Sequence, residues 1–337
     1  MNEITRRTVL KGIVAAAGAT LSFRSMAQRT EFKFKLGTDL PESFPTVIYA
    51  RKAAEKIAQE SNGRLRIEIF PANQLGSSTE LLSQVRSGAV EMVAMHGTTL
   101  SNLSPVAGIN LVGFAFKDYA AVWNAMDGEV GNLVRKSLTP FGLHVPTKMW
   151  DGGFRQVFTA SKRILTAEDM KGLKIRVPVS PMYVSTFRAL GSSPVAINVS
   201  ELYSSLQTGI ADGCELPVTG VESLKLYEVQ KQCSMTNHLW DGPWQVVNAK
   251  VWNGLPSDLQ EIFVRNFDAF GQEQRKFSQQ ASTDLVPELV KKGMAFNRPD
   301  QATFRKALAA SGFYAEWQQK FGAQVWGTLE RYTGKLA

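Results

Sequence analysis

Apolar and polar side chains alternate over residues 31–38 (EFKFKLGT), the period of a strand with one buried face. Pro41 and Pro45 break that run. Over 45–61 the period changes. Val47, Ala50, Ala53, Ala54 and Ile57 share one helical face, and Asn62-Gly63 offers a C-terminal cap. Alternation returns over 64–70 (RLRIEIF) and stops at Pro71. Ser77, Ser78 and Thr79 offer N-caps for a helix through Ser87, which Gly88 ends, and 89–95 (AVEMVAM) is the next strand. Strand, helix, strand, helix, strand predicts a parallel sheet with helices on its faces.

The pattern is looser over 105–150. Ile109, Leu111, Val112, Phe114 and Phe116 precede helices predicted over 119–126 and 131–138. Residues 143–150 (LHVPTKMW) form a strand candidate that runs into a hinge at Asp151-Gly152-Gly153. A second unit then opens. Thr166 with Asp169 makes a capping box, strand 173–177 follows, then a helix over 182–190 and another that Ser200 caps and Gly209 ends. Residues 212–217 read as an acidic turn. An internal echo supports two units: ELLSQVRSGAVEM (80–92) and ELYSSLQTGIADG (201–213) share Glu, Leu, Ser and Gly at the same offsets. The copies come after the strands 64–70 and 173–177. The predicted fold class is α/β, built as two related lobes.

The last part of the chain is helical. Pro256-Ser257 with Gln260 starts a helix in which Leu259, Ile262, Phe263, Phe267, Phe270 and Phe277 recur at helical spacing. It runs to Lys292 with a kink predicted at Pro287, and it is long enough to bridge both lobes. Phe304, Leu308 and 313–332 add shorter helices, whose Trp317 and Trp326 read as core packing.

The chain has 337 residues, 44% of them hydrophobic, enough to bury more than one core. The net charge of +8 is scattered, with no basic face or Lys/Arg run that would track phosphates, which argues against nucleic acid. The first 27 residues read as an export signal: TRRTVLK, an apolar run over 12–23 too short to span a bilayer, and Ser25-Met26-Ala27 as cleavage site. Without them 34 basic side chains face 29 acidic ones. Arg6-Arg7 resembles a twin-arginine signal, and an ordinary secretory signal is the other reading. Either predicts a mature protein outside the cytoplasm, where Cys214 and Cys233 are free to pair or not. His96, His144 and His238 are far apart at no metal-ligand spacing, and CxxC, GxSxG, Walker, GxGxxG and HExxH patterns are absent. No catalytic residue, metal or cofactor is predicted. An enzyme loaded with a flavin or pterin before export is the alternative.

The segments DMKGLKIRVP (169–178), SELYSSLQTGIADGCELP (200–217), YEVQKQCSMTNH (227–238) and KIAQESNGRLRIEIFPANQLG (56–76) resemble the periplasmic solute-binding proteins of TRAP transporters, of the DctP type. The resemblance covers essentially the whole mature chain. It implies a monomeric, non-enzymatic flytrap whose two lobes close on a small organic acid and deliver it to membrane permease subunits. Carried over, one lobe is 30–153 with 242–281 and the other 154–241 with 282–335. The family's strand arginine falls on Arg176 and implies a bidentate clamp on the ligand carboxylate. A second family arginine falls on Arg155 in GGFRQVF. A guanidinium fork matches a carboxylate edge and stays charged when water is excluded. A structural salt bridge is the plainer reading of either residue.

Several sugar-acid binders of the family carry D-G-Q-E-N-P where this chain has Asp212-Gly213-Cys214-Glu215-Leu216-Pro217. Leu216 therefore stands where an asparagine helps to hold the acid. The resemblance also puts Val179 and Val199 at pocket-facing positions and His96 and Asp39 at the pocket edge. Trp150, Trp240 and Trp244, near the lobe crossings, are expected to wall the cavity. A polyhydroxylated acid would leave hydroxyls facing Leu216, Val179 and Val199, each costing about 1–3 kcal/mol. The expected ligand is a monocarboxylate with an apolar or aromatic tail, such as an aryl-substituted 2-oxo or 2-hydroxy acid. His96 or Asp39 would bond its 2-substituent. A C4-dicarboxylate or a sugar acid is the alternative, and a sensory rather than a transport role stays open.

Overall fold

A computed structural model describes residues 30–336, so the expected export signal lies outside the described residues. The first unit runs β1 (Phe32–Gly37), α1 (Pro45–Glu60), β2 (Leu65–Phe70), α2 (Ser78–Ser87), β3 (Met92–His96), α3 (Gly97–Leu100), α4 (Tyr119–Met126), α5 (Glu129–Leu138) and β4 (Leu143–His144). The second has β5 (Gly153–Thr159), β6 (Lys174–Val177), α6 (Pro181–Ala189), β7 (Ser193–Ala196), α7 (Leu202–Gln207), β8 (Gly213–Pro217), α8 (Val218–Ser223) and β9 (Gln232–Ser234). The chain then returns through β10 (Trp240–Asp241), β11 (Pro243–Asn248), α9 (Ala249–Asn253), α10 (Ser257–Lys291), β12 (Ala295–Asn297), α11 (Gln301–Ala310), α12 (Phe313–Phe321) and α13 (Ala323–Thr333).

Both sheets repeat one arrangement. β1 pairs in parallel with β2 and β3, and β11 lies antiparallel beside β3, giving the order β2-β1-β3-β11-β4. In the second sheet β6 pairs in parallel with β7 and β8, and β5 lies antiparallel beside β8, giving β12-β9-β5-β8-β6-β7. Thus β2-β1-β3-β11 matches β7-β6-β8-β5. The sequence echo falls on α2 and α7, which lead into the matching strands β3 and β8. The strand just before the second copy is β7 rather than 173–177. β7 contains Pro194 and has no buried face, so its pattern carries no strand signal. Each sheet takes its antiparallel strand across the junction: β5 enters the second sheet from 150–153, and β11 re-enters the first from 239–242.

The predicted acidic turn is corrected. Only Asp212 precedes β8, and its Oδ2 accepts the Lys174 N–H at 3.1 Å. Gly213–Pro217 is a strand buried at every position, so its sequence shows no alternation. The strand expected over 143–150 shrinks to Leu143–His144 because Pro146 cannot donate to a ladder. α10 continues through Pro287, which sits on its exposed side, so water can take the Thr283 carbonyl that loses its helical N–H. α10 packs on α1 at one end and on α8 and β12 at the other, and so joins the two lobes. The division expected for the C-terminus is less clean. α13 packs on α4 and α5 of the first unit, while α12 touches both residues 105–111 and α6.

Cys214 and Cys233 are free and buried. Both stand opposite Phe158, on either side of β5. Two strand spacings separate them by about 9–10 Å, beyond the reach of a disulfide.

Candidate functional site

A cleft of about 740 Å³, including its solvent-open part, lies between the two sheets. It sits at the carboxyl ends of parallel strands from both lobes, where open α/β sheets place their ligands. The first lobe contributes Asp39 after β1, His96 at the end of β3, and Thr98 and Thr99 in α3. The second contributes Arg176 from β6, Val179 just beyond it, Asn198 and Val199 after β7, Leu216 near the end of β8, and Arg155 near the start of β5.

Arg176 is 2% exposed. Its Nε and Nη2 both donate to the Ile197 carbonyl, at 2.9 and 2.6 Å. No carboxylate forms an ion pair with it among the described residues. Burial lowers its pKa to about 10, which leaves it cationic at neutral pH. A buried cation held only by a neutral carbonyl is costly, and the cost falls when an anion joins it.

Arg155 is arranged differently. Its Nε and Nη2 grip the Glu215 carboxylate at 2.6 and 2.8 Å, and Nη2 also donates to the Glu215 carbonyl at 3.0 Å. Burial alone would lower the Arg155 pKa, but the Glu215 charge outweighs it and raises it. Burial likewise opposes the Glu215 charge, yet Arg155 and His238 hold that carboxyl below its usual range. His238 Nε2 lies 3.2 Å from Glu215 Oε2, and Nδ1 lies 2.8 Å from Thr236 Oγ1. Burial pushes the His238 pKa down, so the ring is neutral. A carboxylate only accepts, so Nε2 carries the proton and Nδ1 accepts from Thr236. The guanidinium also lies over Tyr183, 5.2 Å from the ring centroid. With its fork already occupied, Arg155 has Nη1 to offer a ligand. Arg155 thus forms the buried salt bridge that was its plainer reading, and only its Nη1 is left without a protein partner among the described residues.

The family model for the bacterial extracellular solute-binding proteins, family 7 (DctP), matches residues 36–319. The chain belongs to that family. Its family 7 relatives include the 2,3-diketo-L-gulonate-binding periplasmic protein YiaO of Escherichia coli, 30% identical over 309 residues, which cover 91% of this chain and 92% of YiaO. They also include the C4-dicarboxylate-binding periplasmic protein DctP of Rhodobacter capsulatus, 30% identical over 261 residues, covering 76% of this chain and 77% of that protein. A TRAP solute-binding protein of Polaromonas, solved with D-erythronate, superposes with a TM-score of 0.85 at 27% identity, covering 91% of this chain and all of its own. One from Roseobacter denitrificans, solved with L-galactonate, gives 0.83 at 26% identity, covering 89% and 99%. Family 7 proteins are extracytoplasmic, two-lobed binders of organic acids that work with a membrane permease, and not enzymes. That is the role of this chain.

The cleft of this family 7 protein gathers Arg176, Arg155, Leu216, His96, Asp39, Val179 and Val199. Asp39 accepts the Ser78 hydroxyl at 2.7 Å, which fixes its carboxylate at the rim. The tryptophans do not line it. Trp150 is fully buried against Phe267 and Gly271, and Trp240 donates to Asp151 Oδ1 at 2.9 Å and meets Trp123 edge-on. Trp244 is buried beneath the Arg135 guanidinium. They pack the crossing itself, against α10, α4 and α5 respectively. Sequence reasoning missed Phe44, Thr99, Asn198, Leu202, Gly220 and Leu224 as lining residues. Phe44 and Asn198 immediately precede helical turns, so proximity to a helix start was their one visible signal. Among the described residues no cluster of His, Cys, Asp and Glu could hold a metal.

Proposed function

We propose that this protein captures a monocarboxylate with an apolar or aromatic tail and hands it to its permease. One carboxylate oxygen pair would meet Arg176 and the free Nη1 of Arg155. The observation that carries this reading is the pairing of Arg176: a buried guanidinium, open to the cleft, with only a backbone carbonyl as partner. The tail would lie on Leu216, Val179, Val199, Leu202 and Phe44, where a row of hydroxyls would go unpaired. His96, Thr99 or Asn198 supplies the hydrogen bond for a 2-oxo or 2-hydroxy group. The lobes that close are taken as 30–153 with 242–281 and 154–241 with 282–335, except that α13 would stay with α4 and α5 of the first lobe, on which it packs, and the working unit is taken as a monomer.

A second reading is a more hydroxylated acid. It draws on Thr99 and Asn198, whose side chains have no other protein partner among the described residues, and on the ligands named for the relatives. A thermal-shift panel separates the two, since a ligand that binds only the folded state raises the melting temperature. Phenyllactate and phenylpyruvate should raise it more than D-erythronate, L-galactonate or succinate. The reverse ranking would give the site to the hydroxylated acids.

A further inference from the structure

Gly220 lies inside α8 with ordinary helical backbone angles, so nothing in its conformation calls for glycine. A helical glycine costs about 1 kcal/mol relative to alanine. Its reason is space. A Cβ at position 220 would sit 2.8 Å from Leu216 Cδ1 and 3.5 Å from Leu216 Cγ. The end of the Leu216 side chain would then have to turn away from α8, and since both residues line the cleft, the cleft is open space into which it can turn.

A second cavity, about 520 Å³ with its solvent-open part, adjoins the first. The two share Asp39, Pro41, Val199, Leu202 and Leu224, and the second extends to Asn73 and Tyr203. Four of those five shared residues are apolar. The neck between the two cavities is therefore mostly aliphatic, with the Asp39 carboxylate as its charged side chain, and Leu216 and Gly220 line the inner cavity.

We propose that Gly220 is the position that sets ligand length. By seating Leu216 against α8 it keeps open a largely apolar channel that runs from Arg176 towards the second cavity. The ligand class is then a monocarboxylate whose flat or unbranched tail is longer than that of a C4 acid. This rests on the reading that the carboxylate docks at Arg176.

Calorimetric titration with lactate, phenyllactate and indolelactate tests it, because the three share one head and differ in the tail. Wild type should bind the aryl acids more tightly than lactate. Gly220→Ala should weaken phenyllactate and indolelactate by about tenfold or more, the size that crowding of one methyl group can reach, and leave lactate within about twofold. Trimming the displaced side chain in Gly220→Ala/Leu216→Ala should restore the aryl acids, which separates crowding from misfolding. Wild-type affinity that ignores the tail, or aryl binding undiminished in Gly220→Ala, would overturn the channel while leaving the carboxylate site standing if Arg176→Ala abolishes lactate binding. If none of the three acids binds wild type, both readings fall.

Discussion

Arg155 and Arg176 share one cleft, yet their neighbours give them different work. The Arg155 charge is balanced by Glu215, and His238 and Thr236 brace that carboxylate from behind. Breaking such a pair leaves an uncompensated buried charge. Glu215→Gln should therefore cost about 3–5 kcal/mol, read from denaturant unfolding, and a cost under about 1 kcal/mol would contradict the pairing. Asp151 is a third buried charge site, at the crossing between lobes. Its Oδ1 accepts the Gly153 N–H and the Trp240 indole N–H, both at 2.9 Å, while Oδ2 is buried without a partner. Burial pushes its pKa up to about 7 from 3.8, against the hydrogen bonds that lower it. The folded protein thus holds a proton there that the unfolded chain releases, so this residue's contribution to stability falls as pH rises from about 4 to about 7. Glu215 acts in the opposite sense and only at more acid pH. The melting temperature of Asp151→Asn, relative to wild type, should accordingly rise between pH of about 5 and about 8. A constant difference would mean that Asp151 does not titrate in that window.

α10 is held to the crossing by close approach. Gly271 sits on Trp150, where a Cβ would lie 2.4 Å from Nε1 and 2.9 Å from Cδ1. Trp150 is fully buried and has nowhere to move, so Gly271→Ala should destabilise the protein by about 1–3 kcal/mol, measured by the denaturation midpoint at unchanged slope. The same enclosure explains what could be read from the chain. β1, β2 and α1 each bury one face, and their periods are plain in the sequence. β5, β8 and β11 are buried on nearly all sides, so no alternation marks them. The site shows the same divide. Arg176, Arg155 and Leu216 were found because short motifs carry them. Thr99, Asn198 and Gly220 reach the cleft only through the sheet order, which no local pattern encodes. The tryptophans misled for a related reason: nearness to the crossing along the chain placed them in the wall, whereas packing against α4, α5 and α10 places them in the core.

At the scale of the molecule, the two lobes meet beside the cleft through short polar contacts. Asn102 Nδ2 donates to the Val179 carbonyl at 2.9 Å, and Ser101 Oγ lies 3.1 Å from Ser180 Oγ. α10 and the paired crossing strands connect the lobes behind it. A ligand that bridges Arg176 and Arg155 of the second lobe to His96 and Thr99 of the first favours the closed arrangement by its differential contacts. Small-angle scattering should therefore show a smaller radius of gyration in saturating ligand, and Arg176→Ala should show no change at the same concentration. Compaction of that variant to the wild-type degree would place the grip elsewhere.

Among these tests the affinity of Arg176 variants bears most directly on the carboxylate site. Calorimetry with phenyllactate should give wild type a saturable, one-site isotherm. Arg176→Ala should lose about a hundredfold or more in affinity, as truncating one partner of a buried charge pair does. Arg176→Lys should recover little of it, because an ammonium keeps the charge without the fork. An Arg176→Ala protein that folds and binds phenyllactate with wild-type affinity would contradict the account.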